Sequence, residues 1–123
     1  MAVRTTAAEV KLILDDTSLS DAIVDSFIIS ANLFVTDALG SSTLIAAVLA
    51  DIERWIAAHL ISYTRDRQSK KEEAGGAKIE YAGNFDGKGL FATSYGQMAV
   101  ILDTTGTLEE LAGGKQPITI QAL

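Results

Sequence analysis

Apolar positions in the first half of the chain recur at helical spacing. Thr6-Ala7-Ala8-Glu9 fits a capping box, in which the Thr hydroxyl and the Glu carboxylate satisfy free amides at a helix start. A short helix is predicted over 7–14, and Asp15-Asp16-Thr17-Ser18 breaks it. A second helix, capped by Ser20 or Ser18, runs to Leu39, with a broad stripe of Ile23, Val24, Phe27, Ile28, Ala31, Phe34, Val35, Ala38 and Leu39. Ile29 and Leu33 lie off that stripe. Apolar surface therefore wraps most of this helix, as expected for one that is central in the fold or touches a neighbouring subunit. Gly40 is its expected left-handed stop. A third helix is predicted to start at Ser41-Ser42-Thr43 and to end between Arg65 and Lys70. Its stripe is Leu44, Ile45, Val48, Ile52, Trp55, Ile56, His59, Leu60 and Tyr63, with Asp51, Glu53, Arg54, Ser62, Arg65 and Asp66 largely away from it.

The periodicity then changes. Gln68 to Glu73 is polar and charged and leads into Gly75-Gly76, which reads as a mobile connection. Lys78-Ile79-Glu80-Tyr81 alternates as a strand does. Asn84-Phe85-Asp86-Gly87 supplies a turn, and Gly89-Leu90-Phe91-Ala92 is the candidate returning strand. An isolated hairpin is marginal in water, so this one must pack on the helices or on another molecule. Thr93 or Ser94 caps a short fourth helix through Tyr95, Met98, Ala99, Ile101 and Leu102, weakened by the interior Gly96. Asp103-Thr104-Thr105-Gly106 is a turn. Thr107-Leu108-Glu109-Glu110 begins another helical turn, which Gly113-Gly114 stops. The tail, Gln116-Pro117-Ile118-Thr119-Ile120-Gln121-Ala122-Leu123, alternates again and suits addition to another sheet edge. The expected fold is mainly α: a small bundle of about four helices with a protruding β-hairpin or loop and an extended C-terminal tail. One domain spans 1–123, with a helical core at about 6–68 and 93–112, the hairpin or loop at 69–92 and the tail at 113–123.

Length and composition narrow the function classes. A chain of 123 residues suits a single domain and buries roughly two thirds of its unfolded surface. It has no cysteine, which excludes disulfides and thiolate metal sites, and one histidine, so a multi-histidine site would need several copies. The net charge of −6 argues against a general nucleic-acid binder, which gains affinity by neutralising phosphates. Charge is unevenly placed: −5 over 1–62, +1 over 63–92 and −2 over 93–123. The N-terminus has no apolar stretch of the kind a signal peptide needs. The most apolar runs, 27–35 and 44–50, are far shorter than the roughly 20 residues of a membrane helix. A soluble protein that folds in a reducing cytoplasm, with no membrane partner, is expected.

Candidate chemistry is sparse. The segment 82–93 partly matches a calcium loop through Asn84, Asp86 and Gly87, but Ala82 and Thr93 occupy the first and twelfth positions and lack the carboxylate the loop requires there. Gly87-Lys88 lacks the leading glycine and the following hydroxyl of a phosphate loop, and Ala112-Gly113-Gly114-Lys115 lacks the spacing. His59, one turn after Trp55 on the stripe, reads as an interior or interfacial histidine rather than a catalytic base. Ser62 and Asp66 are only helix-spaced neighbours of it. Asp15-Asp16 reads as loop and capping acid. Arg65, Arg67, Lys70 and Lys71 complement a helix C-terminus, with a contact to DNA or an acidic partner as the sharper reading.

Taken in order, these segments resemble the small head–tail adaptor (connector, or head-completion) proteins of tailed bacteriophages and prophages. The resemblance runs from Arg4-Thr5-Thr6-Ala7-Ala8-Glu9-Val10-Lys11 and the Leu14-Asp15-Asp16-Thr17 break through the Ile-, Ala- and Asn-rich helix at 23–39. It continues with Ile52-Glu53-Arg54-Trp55-Ile56-Ala57-Ala58-His59, Arg65-Asp66-Arg67 and Lys71-Glu72-Glu73-Ala74-Gly75-Gly76-Ala77. It ends with Tyr95-Gly96-Gln97, Leu102-Asp103-Thr104-Thr105-Gly106-Thr107-Leu108 and the apolar tail.

The resemblance implies a virion structural protein, not an enzyme, with no cofactor, metal or catalytic residue. Many copies, commonly a dodecamer, form a ring that docks on the portal, extends the DNA channel and presents a surface to the next neck or tail protein. DNA passes without specific binding, which suits the negative charge. The protein resides at the head–tail junction of the virion and, before assembly, in the host cytoplasm. The expected portal and subunit contacts lie in 69–92 and 115–123. Their anchors are Ile79, Tyr81, Phe85, Leu90, Phe91, Lys115, Pro117, Ile118, Ile120 and Leu123, since buried aromatic and aliphatic groups dominate interfaces. Two other readings fit the same residues: a tail-completion or neck protein at another level, and a small regulatory helical module binding a host protein or DNA through the Arg65, Arg67, Lys70 and Lys71 cluster.

Overall fold

A computed structural model describes residues 3–14, 18–73 and 89–113, with side chains in the third helix described through Thr64. Five α-helices occur among them: α1 (Ala7–Ile13), α2 (Asp21–Leu39), α3 (Ala46–Glu73), α4 (Ser94–Leu102) and α5 (Thr107–Leu111), with a 3-10 turn at Leu90–Ala92. The mainly α architecture expected from the periodicity is present. The expected strand at 78–81, the turn at 84–87 and the C-terminal tail lie outside the described residues.

Helix starts follow local side-chain chemistry. Thr6 Oγ1 accepts from the Glu9 amide at 3.2 Å, while Glu9 Oε1 accepts from the Thr6 amide at 3.3 Å, closing the capping box of α1. Ser20, rather than Ser18, caps α2 by accepting from the Ile23 amide. Thr93 caps α4 by accepting from the Gly96 amide.

Four expectations need correction. Gly40 is not left-handed: at φ −62° and ψ −28° it continues the right-handed turn, its amide donating to the Thr36 carbonyl. Helix α3 starts at Ala46 rather than at Ser41-Ser42-Thr43. Ser42 Oγ accepts from the Leu44 amide instead, holding 42–44 in a bend, the competition that short hydroxyl side chains offer a helix. Helix α3 also runs to Glu73, past the expected stop and through the supposed connection at 68–73. Gln, Lys and Glu are good helix formers, and no glycine or proline intervenes before Gly75. Finally, Leu90–Ala92 is not a returning strand. Gly89 sits at φ 87°, and its carbonyl accepts from the Ala92 amide, closing a single turn that delivers the chain to the Thr93 cap.

Helix α3 takes the central place. It packs against α1 and α2 on one side and α4 on another. At its middle, six consecutive residues, Ile56, Ala57, Ala58, His59, Leu60 and Ile61, are all buried, because neighbours cover every face. Helix α2 contributes Val24, Phe27, Ile28, Ala31, Phe34, Val35 and Leu39 to the same core, which also takes in Ala7, Val10, Leu14, Ile52, Leu90, Ala99 and Leu108. The off-stripe residues of α2 stay on the surface, Ile29 at 55% and Leu33 at 51% exposure. By length and apolar composition alone α2 would suffice to cross a membrane, but 44% of that window is buried within this fold.

Candidate functional site

Two polar groups are enclosed in α3, and each binds a different part of the chain. Glu53 is fully buried, contrary to its expected place away from the apolar stripe. Its Oε1 accepts from Arg4 Nη1 at 2.8 Å and from Asn32 Nδ2 at 3.0 Å; its Oε2 accepts from the Arg4 amide at 2.7 Å. Arg4 Nη1 also donates to Thr36 Oγ1. The N-terminal segment, α2 and α3 thus converge on one carboxylate. With three donors on its two oxygens and no solvent access, Glu53 acts as a clamp and offers no acid or base to a substrate. The signal in the sequence was Asn32, a polar interruption of the α2 stripe needing an acceptor inside.

His59 is the second group. It is fully buried, with Nδ1 within 2.7 Å of Thr93 Oγ1, so it ties α3 to the start of α4. Its ring stacks on Tyr63 at 5.6 Å between centroids, and one turn earlier Trp55 stacks on Tyr95 at 6.2 Å. Gly96 lets the helices meet: a Cβ there would overlap the Leu90 carbonyl oxygen and come within 2.9 Å of His59 Nδ1. Burial pushes His59 down from 6.5 to about 4, so the ring is neutral at pH 7. It serves the interior role expected of it.

Asp103 is buried too and organises α5. Its Oδ1 accepts from the Thr105 amide and hydroxyl, and its Oδ2 accepts from the Leu108 amide at 2.8 Å. Among the described residues no group of three or more His, Asp or Glu side chains is placed to hold a metal ion.

Of the expected interface anchors, two are described. Leu90 is fully enclosed by its own chain, so it is a core residue and presents no surface to a partner. Its short apolar run reads the same in a strand and in a turn. Phe91, next to it, is 39% exposed. Ile79, Tyr81, Phe85, Lys115, Pro117, Ile118, Ile120 and Leu123 lie outside the described residues, as do Asp15, Asp16 and, of the partial calcium and phosphate loops, Asn84, Asp86, Gly87 and Lys88. Arg65, Arg67, Lys70 and Lys71 fall on the last turns of α3.

The described surface includes exposed large hydrophobic side chains. Ile29 and Leu33 are four residues apart on α2, Met98 and Ile101 are three apart on α4, and all four are exposed, as is Phe91. No protein-family model, curated protein or solved structure matches this chain.

Proposed function

We propose that the protein is a structural component of a tailed-phage virion, a head–tail adaptor whose copies form a ring on the portal. The ring extends the DNA channel and supplies the surface for neck or tail attachment. The reading is supported by the order of sequence segments given above. The observation that carries it is the exposed apolar pair Ile29 and Leu33 on a helix whose opposite face is already core. A chain whose polar interior groups are committed to holding helices together, and whose surface keeps large aliphatic side chains, is suited to assembly. The proposed portal contacts are in the 69–92 and 115–123 segments, with Phe91 as the exposed described anchor.

Electron microscopy of the purified protein mixed with the portal from the same genome tests this reading. A ring seated on the portal is the expected result. Deleting 116–123 should abolish docking with unchanged helix content by circular dichroism. Absence of any portal-bound ring with the intact chain overturns the proposal.

A further inference from the structure

We infer that the outer face of α2 is a contact between copies: a hole framed by Ser26, Ile29, Ser30 and Leu33 receives Ile101, with Met98 beside it, from α4 of a second copy of this chain. The inference rests on the ring reading and adds which helices join neighbouring copies.

Helical geometry sets the frame. Residues 26, 29, 30 and 33 stand at i, i+3, i+4 and i+7, the diamond into which a facing helix inserts one side chain. Ile29 and Leu33 are its exposed apolar walls, and the two small serines leave room beside them. The Ser26 hydroxyl donates to the Ile23 carbonyl at 2.7 Å, so covering it strands no donor. On α4, Ser94, Met98 and Ile101 are exposed at i, i+4 and i+7, on the side away from the buried Gly96 and Ala99. Ile101 is the most prominent of them, at 70% exposure.

Charge selects the occupant. Asp25 and Asp37 are exposed and bound the α2 face, about 18 Å apart along the helix. If this face packed on its counterpart in a second copy, every acid would meet an acid: 25 against 37 in an antiparallel pair, 25 against 25 in a parallel one. Helix α4 is the described helix that has exposed large apolar side chains and no charge, for no Asp, Glu, Lys or Arg occurs from Gly89 to Leu102. At nine residues, about 14 Å, it fits between the two acids and leaves both in water.

A single chain cannot make this contact with itself. On α3, Glu53 holds Asn32 of α2, whereas Trp55 stacks on Tyr95 and His59 meets Thr93 at the start of α4. At about 100° per residue, the α4 side of α3 lies about 140° around the helix from Glu53. The outer faces of α2 and α4 are therefore on different sides of the molecule, with α3 between them. Because the giving and receiving surfaces differ, the contact is head-to-tail, the kind that closes into a ring when the rotation per copy allows.

The chain has no cysteine, so an introduced thiol is unique. Two full-length single variants, Leu33→Cys and Ile101→Cys, are mixed and treated with a mild oxidant, with and without the portal from the same genome. A disulfide joining one copy of each is expected. It should form at least about tenfold faster than one between Leu33→Cys and Thr104→Cys, an exposed position outside both faces. Circular dichroism checks that helix content is unchanged, and Ile29→Cys with Met98→Cys repeats the test if either first variant loses helix. Faster linkage of Leu33→Cys to itself, or of Ile101→Cys to itself, overturns the inference in favour of a symmetric pair. No linkage above the control in either condition also overturns it. Linkage of the mixed pair with no portal-bound ring of the wild type overturns the ring reading alone. Portal-bound rings in which the mixed pair does not link overturn the contact alone.

Discussion

Arg4 and Glu53, separated by 49 positions in sequence, meet with Nη1 2.8 Å from Oε1, and the carboxylate has no exposure to solvent. The guanidinium is partly exposed and the acid is not, so the two residues are unequal in what their loss would do. Removing the base strands a buried charge, whereas removing the acid frees a base that water can still reach.

Arg4→Ala should therefore destabilise the fold by about 2 kcal/mol in urea unfolding. That is below the loss for a fully broken buried pair, because the amide at position 4 and Asn32 still donate. An unchanged unfolding midpoint would remove Glu53 from its role as the clamp.

Stability should fall as pH drops from 6.5 towards 4. The unfolded chain protonates His59 near 6.5, while burial holds the folded value at about 4. Between these limits the unfolded state binds more protons, so acid favours unfolding, by about 3 kcal/mol in full. Above 6.5 the contribution is complete and flat. Urea melts at pH 7, 6 and 5 check the slope, and His59→Asn should abolish this component.

Gly96→Ala should lower stability by about 3 kcal/mol. Alanine gains about 1 kcal/mol in helix propensity, but its methyl would drive into the Leu90 backbone carbonyl, which cannot rotate away as a side chain would. A neutral or stabilised variant would mean that α4 does not approach the Leu90 carbonyl this closely at position 96.

Asp103→Ala should cost about 2 kcal/mol, because the Leu108 amide and both Thr105 donors lose their acceptor together. Hydrogen exchange should show the loss concentrated in 104–111, with α2 and the middle of α3 nearly as protected as before. Uniform loss of protection would contradict a local role for this residue.

The parts of the fold that were legible in the sequence are those set by neighbours in sequence. Thr6, Ser20 and Thr93 each cap within three residues of themselves, and the stripe of α2 needs only its own spacing. The parts that were not legible depend on distant groups. Glu53 sits on α3 among apolar residues, and nothing local distinguishes a solvated acid from one clamped by Arg4 and Asn32. Its burial follows from α3 being in contact with α1, α2 and α4, a fact of packing and not of period. The burial of Leu90 in its own chain is no more readable locally: its short apolar run has no period. Helix α3 outruns its expected end because polarity at 68–73 does not break a helix; only residue types hostile to one, such as the glycine at 75, do.

Trp55 is the chain's single tryptophan, and its ring rests on Tyr95 across the α3–α4 contact. Its intrinsic fluorescence is therefore a one-site optical reporter of whether α4 is seated. Lifting α4 alone would shift the emission while the far-ultraviolet helical signal barely moves; loss of the whole bundle would move both together. The protein thus carries, without any label, the means to separate a detached helix from an unfolded chain.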